Sequence, residues 1–381
     1  MTKEENMKHS RHLWILMGII ALIYTATLVT IRLENPKSIQ KTTYIRWRQA
    51  YVINQAKERA FVNTSNNRRK PVVLSEGQGY GLCITAWAGE KGWAQEKDYR
   101  HLLNYYLAHR DTIKSRRTYL MAWRQAFQKG KWVSQANSAT DGDLFIAASL
   151  QSAAKVWPQH ASYYRQLEQK VCADILHYEY NPHTRSLTVG DWAKAGSKYY
   201  RLMRTSDVAP SFFDQFYRLS HDQRWRTAKN GMLDHLLTLS KQHKTGLVPD
   251  FAWVGEHSAK PVRPNAVASK NDGNYSANAC RVPMMLADCK DPRAQKVLTK
   301  MMKFFAHCQY VTAGYRLNGK QLNHYQSDSF SAPIFYAVSA NRGRGYDNLF
   351  ESQKHIFAKP LTKHNYYDAM LTTIVVLKGM R

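Results

Sequence analysis

The sequence predicts a mostly α-helical protein, built as an open solenoid or as a closed helical barrel. Segments with apolar residues at helical spacing, the first at 45–61, follow one another about every 25 to 30 residues. Strand-like runs, such as 119–123 and 187–189, are few and short. No repeated sequence accompanies this rhythm, which disfavours repeat arrays of the TPR and HEAT type. Helices joined by loops long enough to carry function are typical of the two remaining architectures.

The composition is that of a chain with a sizeable core. Hydrophobic residues make up 44% of the 381 positions, so the chain has room for one large domain or two ordinary ones. Ten Trp and 23 Tyr exceed what core packing alone usually requires. Flat rings also stack on sugars, on nucleic-acid bases and at interfaces, so the aromatic content favours a binding function, although packing is the default role of each ring.

The net charge of +27 predicts a strong positive field around the protein. Such a field recruits polyanions, for which nucleic acid, anionic lipid and acidic cell-wall or exocellular polysaccharide are candidates, and it repels a cationic polymer such as chitosan. The sequence has no nuclear-type basic run, no zinc-finger spacing and no RNP-like motif. We therefore expect no nucleic-acid partner.

No metal or cofactor site is expected. The fifteen histidines show no HxxxH or HExxH spacing, and the five cysteines form no CxxC pair and no zinc spacing. We interpret the cysteines as mostly buried thiols, because nothing in their spacing marks a disulfide framework. They are Cys83, Cys172, Cys280, Cys289 and Cys308.

The N-terminal region predicts a membrane anchor. Residues 1–12 are polar and basic, whereas 13–31 contain no charged residue and are about as long as a transmembrane helix. Basic residues before the apolar run place 1–12 in the cytoplasm and the rest of the chain outside. A cleaved signal peptide is the alternative, but the long apolar run and the missing small-x-small site favour an uncleaved signal anchor. Residues 32–43 are then expected to be a linker and 44–381 the folded domain.

One carboxylate, Glu76, stands among three glycines in the stretch from Ser75 to Gly81, between the apolar runs 72–74 and 82–87. Glycines at alternate positions leave space for a close approach of backbone or ligand, at a cost in conformational entropy. A Gly-rich turn with a capping Glu explains this pattern equally well.

A second acidic cluster lies within 137–157, where Asp141 and Asp143 precede a run of small residues at 147–149. Capping of a helix by Thr or Asp explains one acidic residue. Capping does not account for the second aspartate or for the small residues that follow.

These motifs resemble glycoside hydrolase family 8, a family of inverting β-glycan hydrolases. Ser75 to Gly81 is similar to the acid motif and 139–157 to the family signature, in which Gln151 departs from the usual small or apolar residue. Weaker blocks stand at 190–192, 247–251, 281–283 and 366–368. The resemblance implies an all-α fold, a six-hairpin (α/α) barrel, preceded in this chain by the N-terminal transmembrane helix.

The resemblance also implies roles for the two acidic motifs. Glu76 corresponds to the general acid, and the apolar runs beside it are suited to raise its pKa and keep it protonated. Asp141 corresponds to the aspartate that binds and distorts the sugar at the cleavage subsite. Asp143, near a helix start, is expected to be structural.

The general base is where the sequence departs from the family pattern. In one branch the base is an aspartate three residues before the Arg of the Arg-Val-Pro block, and Asn278 stands there in this chain. An amide cannot act as general base at neutral pH. Another branch uses a carboxylate from a nearby loop, and the loop here offers Asp250, Glu256 and Asp272. Asp250 belongs to a family block and is expected to be structural, so Glu256 is the first candidate and Asp272 the second.

Substrate-binding residues are expected around these motifs. Arg281 is expected to fix the geometry of Asp141 or of the substrate, with Asn278 beside it. Five aromatic residues near the motifs are candidate sugar platforms, although each is equally suited to the core. They are Trp87, Trp132, Trp192, Trp253 and Tyr275.

The resemblance and the N-terminal sequence together predict an inverting, endo-acting hydrolase of a β-1,4-linked or mixed-linkage glucan, without cofactor or metal, on the outer face of a bacterial cell membrane. The alternatives are a xylanase-type activity of the same family and a carbohydrate-binding pseudoenzyme in which Asn278 marks lost catalysis. We expect a monomer that is held by its N-terminal helix and attracted to anionic cell-wall polymers. If that helix is cleaved, the protein is secreted.

Overall fold

The structure is a computed structural model that describes residues 12–25 and 36–379. Residues 12–25 form a helix. They include the first part of the predicted membrane span, 13–31, whereas the rest of that span and residues 1–11 lie outside the described residues. Within the described ranges, no helix has both the length and the apolar character needed to cross a membrane.

From residue 36 onward the chain is mostly helical. The helices are α1 Pro36–Tyr51, α2 Ser75–Glu90, α3 Glu96–Ala108, α4 Thr140–Val156, α5 Ala161–Tyr178, α6 Pro210–Ser220, α7 Gln223–Lys241, α8 Val282–Leu286, α9 Pro292–Ala306, α10 Asp328–Ser339, α11 Asp347–Gln353, α12 His355–Ala358 and α13 Tyr366–Gly379. The strands are β1 Val52–Gln55, β2 Arg59–Val62, β3 Val72–Leu74, β4 Arg110–Ile113, β5 Arg116–Met121, β6 Arg124–Gln128, β7 Lys131–Gln135, β8 Tyr180–Asn181, β9 Ser186–Leu187, β10 Leu202–Arg204, β11 Phe251–Val254 and β12 Ala259–Pro261.

Six of these helices form a closed ring. Helices α2, α4, α6, α8, α10 and α13 each pack against the next, and α13 packs against α2. Helices α3, α5, α7, α9 and α11 lie outside the ring, and each packs against the inner helix that precedes it. Helix α1 packs against α13 and supplies the sixth outer position. The closed helical barrel is therefore confirmed over the open solenoid.

Helix α1 shows that the barrel begins earlier than predicted. The helix starts at Pro36, so the prediction of a linker over 32–43 is wrong from residue 36 onward. Tyr44, Trp47 and Tyr51 bury one face of α1. Burial of these three aromatic side chains holds the helix against the barrel, because exposing so much aromatic surface to water would be unfavourable.

The helix predicted over 45–61 ends early. Helix α1 stops at Tyr51, and 52–62 form the antiparallel hairpin β1–β2. Its turn contains Lys57 and Glu58, which have positive φ angles of 61° and 51°. Because Gly, Asn and Asp usually occupy such left-handed positions, neither residue marks a turn in the sequence.

Contacts between first residues show which inner helices begin at the same end of the barrel. Arg281, just before α8, bonds Glu76 in α2 and Asp141 in α4. Ser327, just before α10, donates a hydrogen bond to Asp368 in α13 at 2.5 Å. We call this the site end, and the opposite end, where the inner helices finish, the back end.

The connections at the two ends differ in length. Connections from an outer helix to the next inner helix are long and carry all the strands that the described ranges contain. Connections at the back end are short. The prediction of an all-α fold therefore holds for the barrel itself, whereas the connections at its site end form small antiparallel sheets. Long loops on a rigid scaffold are where binding and catalytic residues usually lie.

Candidate active site

Charged and phenolic side chains meet where the inner helices begin. We call this group the carboxylate cluster. Its members are Glu76 and Tyr80 of α2, Asp141 of α4, Arg204 of β10, Arg281 before α8 and Tyr366 of α13. The positive ends of the helix dipoles of α2 and α4 lie at this point and favour carboxylates there.

Glycines allow α2 and α4 to approach closely at the cluster. A Cβ at Gly79 would lie 2.8 Å from the carbonyl oxygen of Gly142, and a Cβ at Gly142 would lie 2.6 Å from the backbone carbon of Ser75. Neither position has room for a larger residue. The Gly-rich stretch is thus the start of a helix rather than a turn, and the close approach brings Glu76 beside Asp141.

Arg281 joins the two carboxylates. Its Nη1 donates to Glu76 Oε2 at 2.8 Å, to Asp141 Oδ2 at 3.1 Å and to the Tyr80 hydroxyl at 2.8 Å. Arg281 is only 1% exposed, so these partners provide most of what stabilises its charge. Because the two carboxylate oxygens bond one nitrogen, they are at most about 6 Å apart, which is less than the spacing that admits a water molecule between two catalytic carboxyls.

Arg204 and Tyr366 make the two carboxylates unequal. Arg204 Nη1 lies 2.8 Å from Asp141 Oδ1. The Tyr366 hydroxyl donates to Glu76 Oε1 at 3.0 Å. Asp141 is therefore held between two guanidinium groups, whereas Glu76 has one guanidinium and one neutral hydroxyl. The sequence gives no signal for Arg204, because its carboxylate partner lies far away along the chain.

These surroundings move the pKa values of the two carboxyls in opposite directions. Burial, only partly offset by Arg281, raises the pKa of Glu76 above its usual value. Burial also acts to raise the pKa of Asp141, but Arg204 and Arg281 outweigh it and the pKa lies below its usual value. Two carboxyl groups whose environments separate their pKa values are suited to different roles, Glu76 as a proton donor and Asp141 as a permanent anion.

Asn278 lies beside the cluster but does not offer a base. Its Oδ1 accepts a hydrogen bond from Arg281 Nη2 at 2.9 Å, and its Nδ2 donates to Asp250 Oδ2 at 3.4 Å. Asp250 Oδ1 accepts from three backbone N–H groups, those of Ser276, Asn278 and Ala279. Burial raises the pKa of Asp250 to about 7. Asp250 therefore fixes the turn that presents Asn278 and Arg281, which is a structural role.

The two base candidates have different surroundings. Glu256 lies in the connection between β11 and β12, with 70% of its side chain exposed, 3.4 Å from His257. Asp272 is 1% exposed and accepts hydrogen bonds from the backbone N–H groups of 267–269. Neither carboxylate bonds a member of the carboxylate cluster among the residues that the structure describes. Asp272 is occupied in holding a turn, so Glu256 is the more available of the two.

Two of the candidate platforms, Trp192 and Trp253, lie near strand β10, which carries Arg204 of the carboxylate cluster. Trp192 and Tyr199 have ring centroids 5.0 Å apart, and Tyr199 and Trp253 have ring centroids 6.3 Å apart. Trp253 pairs with Leu202 in strand β10, which ends at Arg204. All three rings are half-buried and therefore keep an accessible part. We call Trp192, Tyr199 and Trp253 the aromatic wall.

The other three candidates lie elsewhere. Tyr275 is fully buried and packs against Tyr315, so the prediction that it contacts substrate is wrong. Trp132 is 37% exposed on β7, an edge strand two places from β3, which leads into α2. Trp87 lines a cavity with residues of the other inner helices, among them Phe212 and Tyr336, and Lys378 lies over its ring. Core packing thus explains Tyr275, as it explains most buried aromatic residues.

The chain matches the family model of glycosyl hydrolases family 8 over residues 17–380. It belongs to glycoside hydrolase family 8. The resemblance drawn from the motifs is confirmed, and the protein is a glycosidase of a family whose members act on β-glycans. This result favours an enzyme over the carbohydrate-binding pseudoenzyme.

Several relatives are similar to this family 8 chain over most of its length. It is 30% identical to a β-glucanase of Niallia circulans over 355 residues, which cover 89% of this chain and 84% of the relative. It is 26% identical to an endoglucanase of Bacillus sp. strain KSM-330 over 330 residues, covering 81% of this chain and 69% of the relative. The apo structure of a β-1,3-1,4-glucanase from Paenibacillus sp. X4 is similar, with a TM-score of 0.79, 25% identity, and coverage of 91% of this chain and 94% of that one.

Trp123 of this family 8 chain is a candidate platform that the sequence did not single out. Its carbonyl accepts the Ser75 N–H at 2.9 Å, and its own N–H donates to the Asn137 carbonyl at 2.8 Å. These bonds hold Trp123 next to the segments that carry Glu76 and Asp141. Trp123 as a whole residue is 37% exposed. A tryptophan at the end of a strand-like run was the available signal, and only its exposure in the structure separates it from a core residue.

Replacing Trp123 by Ala is expected to weaken substrate binding more than catalysis. A platform that supports the sugar in both ground and transition state contributes uniform binding, so KM should rise about tenfold while kcat changes less than about twofold. Steady-state kinetics on a soluble β-glucan measure both constants. Trp132→Ala, at a ring with the same exposure, is the matched control and should leave both constants unchanged. A loss confined to kcat, or an equal effect of Trp132→Ala, would contradict the role of Trp123.

Three further acids are buried around the start of α4. The Ser138 hydroxyl donates to Glu179 Oε1, and the Ser138 N–H donates to Asp191 Oδ1 at 2.8 Å. Asp143 Oδ1 accepts the Met121 N–H at 2.8 Å. Burial raises the pKa of Glu179 to about 8, and it also raises the pKa of Asp143 and that of Asp191. These acids anchor loops to the barrel, which is a structural role for Asp143.

Glu179→Gln is expected to stabilise the protein at alkaline pH. The folded state holds a proton on Glu179 up to about pH 8, whereas the unfolded chain releases it near 4.5. The free energy of unfolding of the wild type therefore falls as pH rises through this window, by up to about 1.4 kcal/mol per pH unit for one proton. Gln keeps an acceptor for Ser138 and removes the proton. Urea unfolding across the window measures the slope, with the exposed change Glu90→Gln as control, and an unchanged slope in Glu179→Gln would refute the assignment.

Proposed function

We propose that the protein is an inverting, endo-acting hydrolase of a β-linked glucan, with Glu76 as the general acid. The observation that carries the proposal is the pair of carboxyls that Arg281 joins. The pKa of Glu76 is raised and that of Asp141 is lowered. A protonated carboxyl beside an ionised one is what protonation of a glycosidic oxygen and stabilisation of a developing oxocarbenium ion require.

In the proposed mechanism, Glu76 donates its proton to the leaving glycosidic oxygen as the bond from that oxygen to the anomeric carbon breaks. Asp141, kept ionised by Arg204 and Arg281, accepts hydrogen bonds from the sugar hydroxyls at the cleavage point and favours the charge that develops on the ring. A water molecule attacks the anomeric carbon from the opposite face and loses a proton to the base. The product has the inverted configuration.

We assign the base to Glu256. Asp141 is too close to Glu76 to activate a water between them, and Asn278 is an amide. Both carboxylate oxygens of Asp272 accept hydrogen bonds from backbone N–H groups, three in all. Glu256 is the exposed carboxylate of the β11–β12 hairpin, which also carries Trp253 of the aromatic wall.

Glu256→Gln is expected to lower kcat on a β-glucan by at least about a hundredfold, because the amide cannot take the proton of the attacking water. Binding should persist, since Glu256 bonds no member of the carboxylate cluster among the described residues. Asp272→Asn is the control for the competing assignment. Wild-type turnover in Glu256→Gln, together with loss of turnover in Glu76→Gln, would refute this choice of base.

A panel of polysaccharides tests the substrate part of the proposal. The relatives named β-glucanase, endoglucanase and β-1,3-1,4-glucanase support a glucan, and the panel therefore compares lichenan, carboxymethylcellulose, xylan and chitosan. We expect new reducing ends from the glucans, with a rapid fall in viscosity because cleavage is internal. Xylan as the preferred substrate, or release of small sugars without a fall in viscosity, would overturn it.

We also propose that 13–31 anchors the enzyme in the bacterial membrane with the barrel outside, as a monomer. The uncharged sequence of 13–31 supports the anchor. The barrel begins at Pro36, and Gln40 in the same helix donates to the Val376 carbonyl near the end of α13. The chain therefore enters at the back end, away from the carboxylate cluster. Alkaline carbonate extraction tests the anchor, because a membrane-spanning protein stays in the pellet and a secreted one does not.

A further inference from the structure

Positive charge surrounds the aromatic wall. The wall is built from two segments, 190–204 and 251–272. The exposed charged residues of these segments are six cations and one carboxylate, Glu256. The other two acids of the segments, Asp191 and Asp272, are buried. The exposed cations are Lys194, Lys198, Arg201, Lys260, Arg263 and Lys270.

These cations have no carboxylate partner within the described part of the chain. The half-buried Arg204, by contrast, is paired with Asp141 and Asp207. Glu256 lies against His257 instead. Lys198 stands over the Tyr199 ring, 4.8 Å from its centroid, so it is part of the wall itself. Positive charge without local compensation leaves a binding surface for an anion.

The wall is fixed to the carboxylate cluster. Strand β10 runs from Leu202 to Arg204, and Arg204 bonds Asp141. The Arg201 carbonyl accepts the Val254 N–H at 2.9 Å, which ties the two segments of the wall together. A glycan that stacks on the wall therefore continues toward the cluster. Lys198 lies over the Tyr199 ring, and the other exposed cations belong to the same two segments as the rings.

We propose that the glycan cleaved by this enzyme carries anionic substituents. This inference rests on the proposed hydrolase function and defines its substrate class as a β-glycan whose sugars bear carboxylate or phosphate groups. The sugar rings stack on Trp192 and Trp253, and the anionic groups bind Lys194, Lys198 and Arg201. A neutral glucan would use the rings alone and leave the cations without a ligand.

Two soluble polymers with the same β-1,4-glucan backbone test the proposal. Carboxymethylcellulose carries carboxylates, and hydroxyethylcellulose of similar length and degree of substitution is neutral. The wild type should have a kcat/KM about tenfold higher on the anionic polymer at low salt, and the ratio should approach unity at about 0.5 M NaCl, where screening shortens the reach of the cations. An equal kcat/KM on both polymers at low salt would overturn the proposal.

Charge removal at the wall identifies the cations responsible. The test variant combines Lys194→Gln, Lys198→Gln, Arg201→Gln and Lys260→Gln. The matched control removes four cations from a groove on another part of the barrel, by Lys290→Gln, Lys296→Gln, Lys303→Gln and Arg344→Gln. The wall variant should lower the ratio of kcat/KM on the two polymers about tenfold, whereas the control should keep the wild-type ratio. The same change in both variants would show that only net charge matters and would refute a wall-specific site.

A binding measurement separates this proposal from the proposed function. Glu76→Gln protein is run in native gels that contain carboxymethylcellulose, phosphorylated cellulose or hydroxyethylcellulose. Retardation by the anionic polymers that the wall substitutions abolish and the groove substitutions preserve supports the proposal, whether or not either polymer is cleaved. The stronger of the two anionic gels identifies the carboxylate or the phosphate as the preferred group. Equal retardation in the neutral gel contradicts the proposal.

Discussion

Glu76→Gln is expected to lower kcat on a polymeric β-glucan by about a thousandfold. The amide cannot protonate the leaving oxygen, and general acid catalysis of this kind is worth about 10² to 10⁴ in rate. The hydrogen bonds from Arg281 and Tyr366 reach two different oxygens of Glu76, and Gln keeps one acceptor for them. We therefore expect little change in KM. Reducing-end assays across a range of substrate concentrations measure both constants.

An activated substrate shows whether the lost function is that of an acid. A dinitrophenyl β-cello-oligosaccharide has a leaving group that departs without protonation, so Glu76→Gln should lose less than about tenfold on it. Glu168→Gln is the control, because burial raises the pKa of Glu168 as well, but this residue lies in outer helix α5. Equal losses on the activated and the natural substrate would contradict the role of Glu76 as general acid.

Arg281→Leu is expected to abolish activity and to destabilise the protein. The change removes the buried cation that the half-buried Glu76 and the buried Asp141 share. Breaking a buried ion pair by removing one partner typically costs about 3 to 5 kcal/mol, which corresponds to a fall in Tm of about 5 °C for a domain of this size. Calorimetry measures Tm, and kinetics at a temperature where the variant is folded measure activity.

The control for Arg281→Leu is an exposed ion pair. Arg48 bonds Asp98 at 2.7 Å, with 47% of its side chain exposed. Pairs of this kind contribute about 0 to 1 kcal/mol, so Arg48→Leu should hardly change Tm. The pH dependence gives a second readout, because loss of the Arg281 charge removes one of the two guanidinium groups that lower the pKa of Asp141, the other being Arg204. A variant that keeps wild-type Tm and activity would show that Arg281 does not organise the cluster.

The helical class was predictable because its causes are local, whereas the choice of a closed barrel over an open solenoid came from the family resemblance. Helical spacing of apolar residues persists along the chain, and each inner helix needs a partner for its apolar face. The hairpin after α1 was not predictable, since Lys57 and Glu58 adopt a left-handed turn without the residue types that signal one. The start of α1 at Pro36 was also missed, because a proline beside polar residues is as typical of a linker as of a first helical turn.

The candidate site was predictable in part. The motifs around Glu76 and Asp141 are compact in sequence, and Arg281 lies in a recognisable block. Arg204 could not be found, because its role depends on a contact between distant segments. Tyr275 was misassigned for a related reason, since proximity to a motif along the chain does not reveal that a ring points into the core. Spacing along the sequence locates motifs, whereas exposure and long-range pairing belong to the fold.

The measurement that tests the account most directly is the configuration of the first product. Proton NMR during the first minutes of hydrolysis of a β-linked cello-oligosaccharide distinguishes the two anomers before they interconvert. The account predicts the α-anomer at the new reducing end, because Glu76 acts as acid and water attacks from the opposite face. The β-anomer as first product would contradict it, and it would instead make Asp141, which lies within about 6 Å of Glu76, the nucleophile of a retaining enzyme.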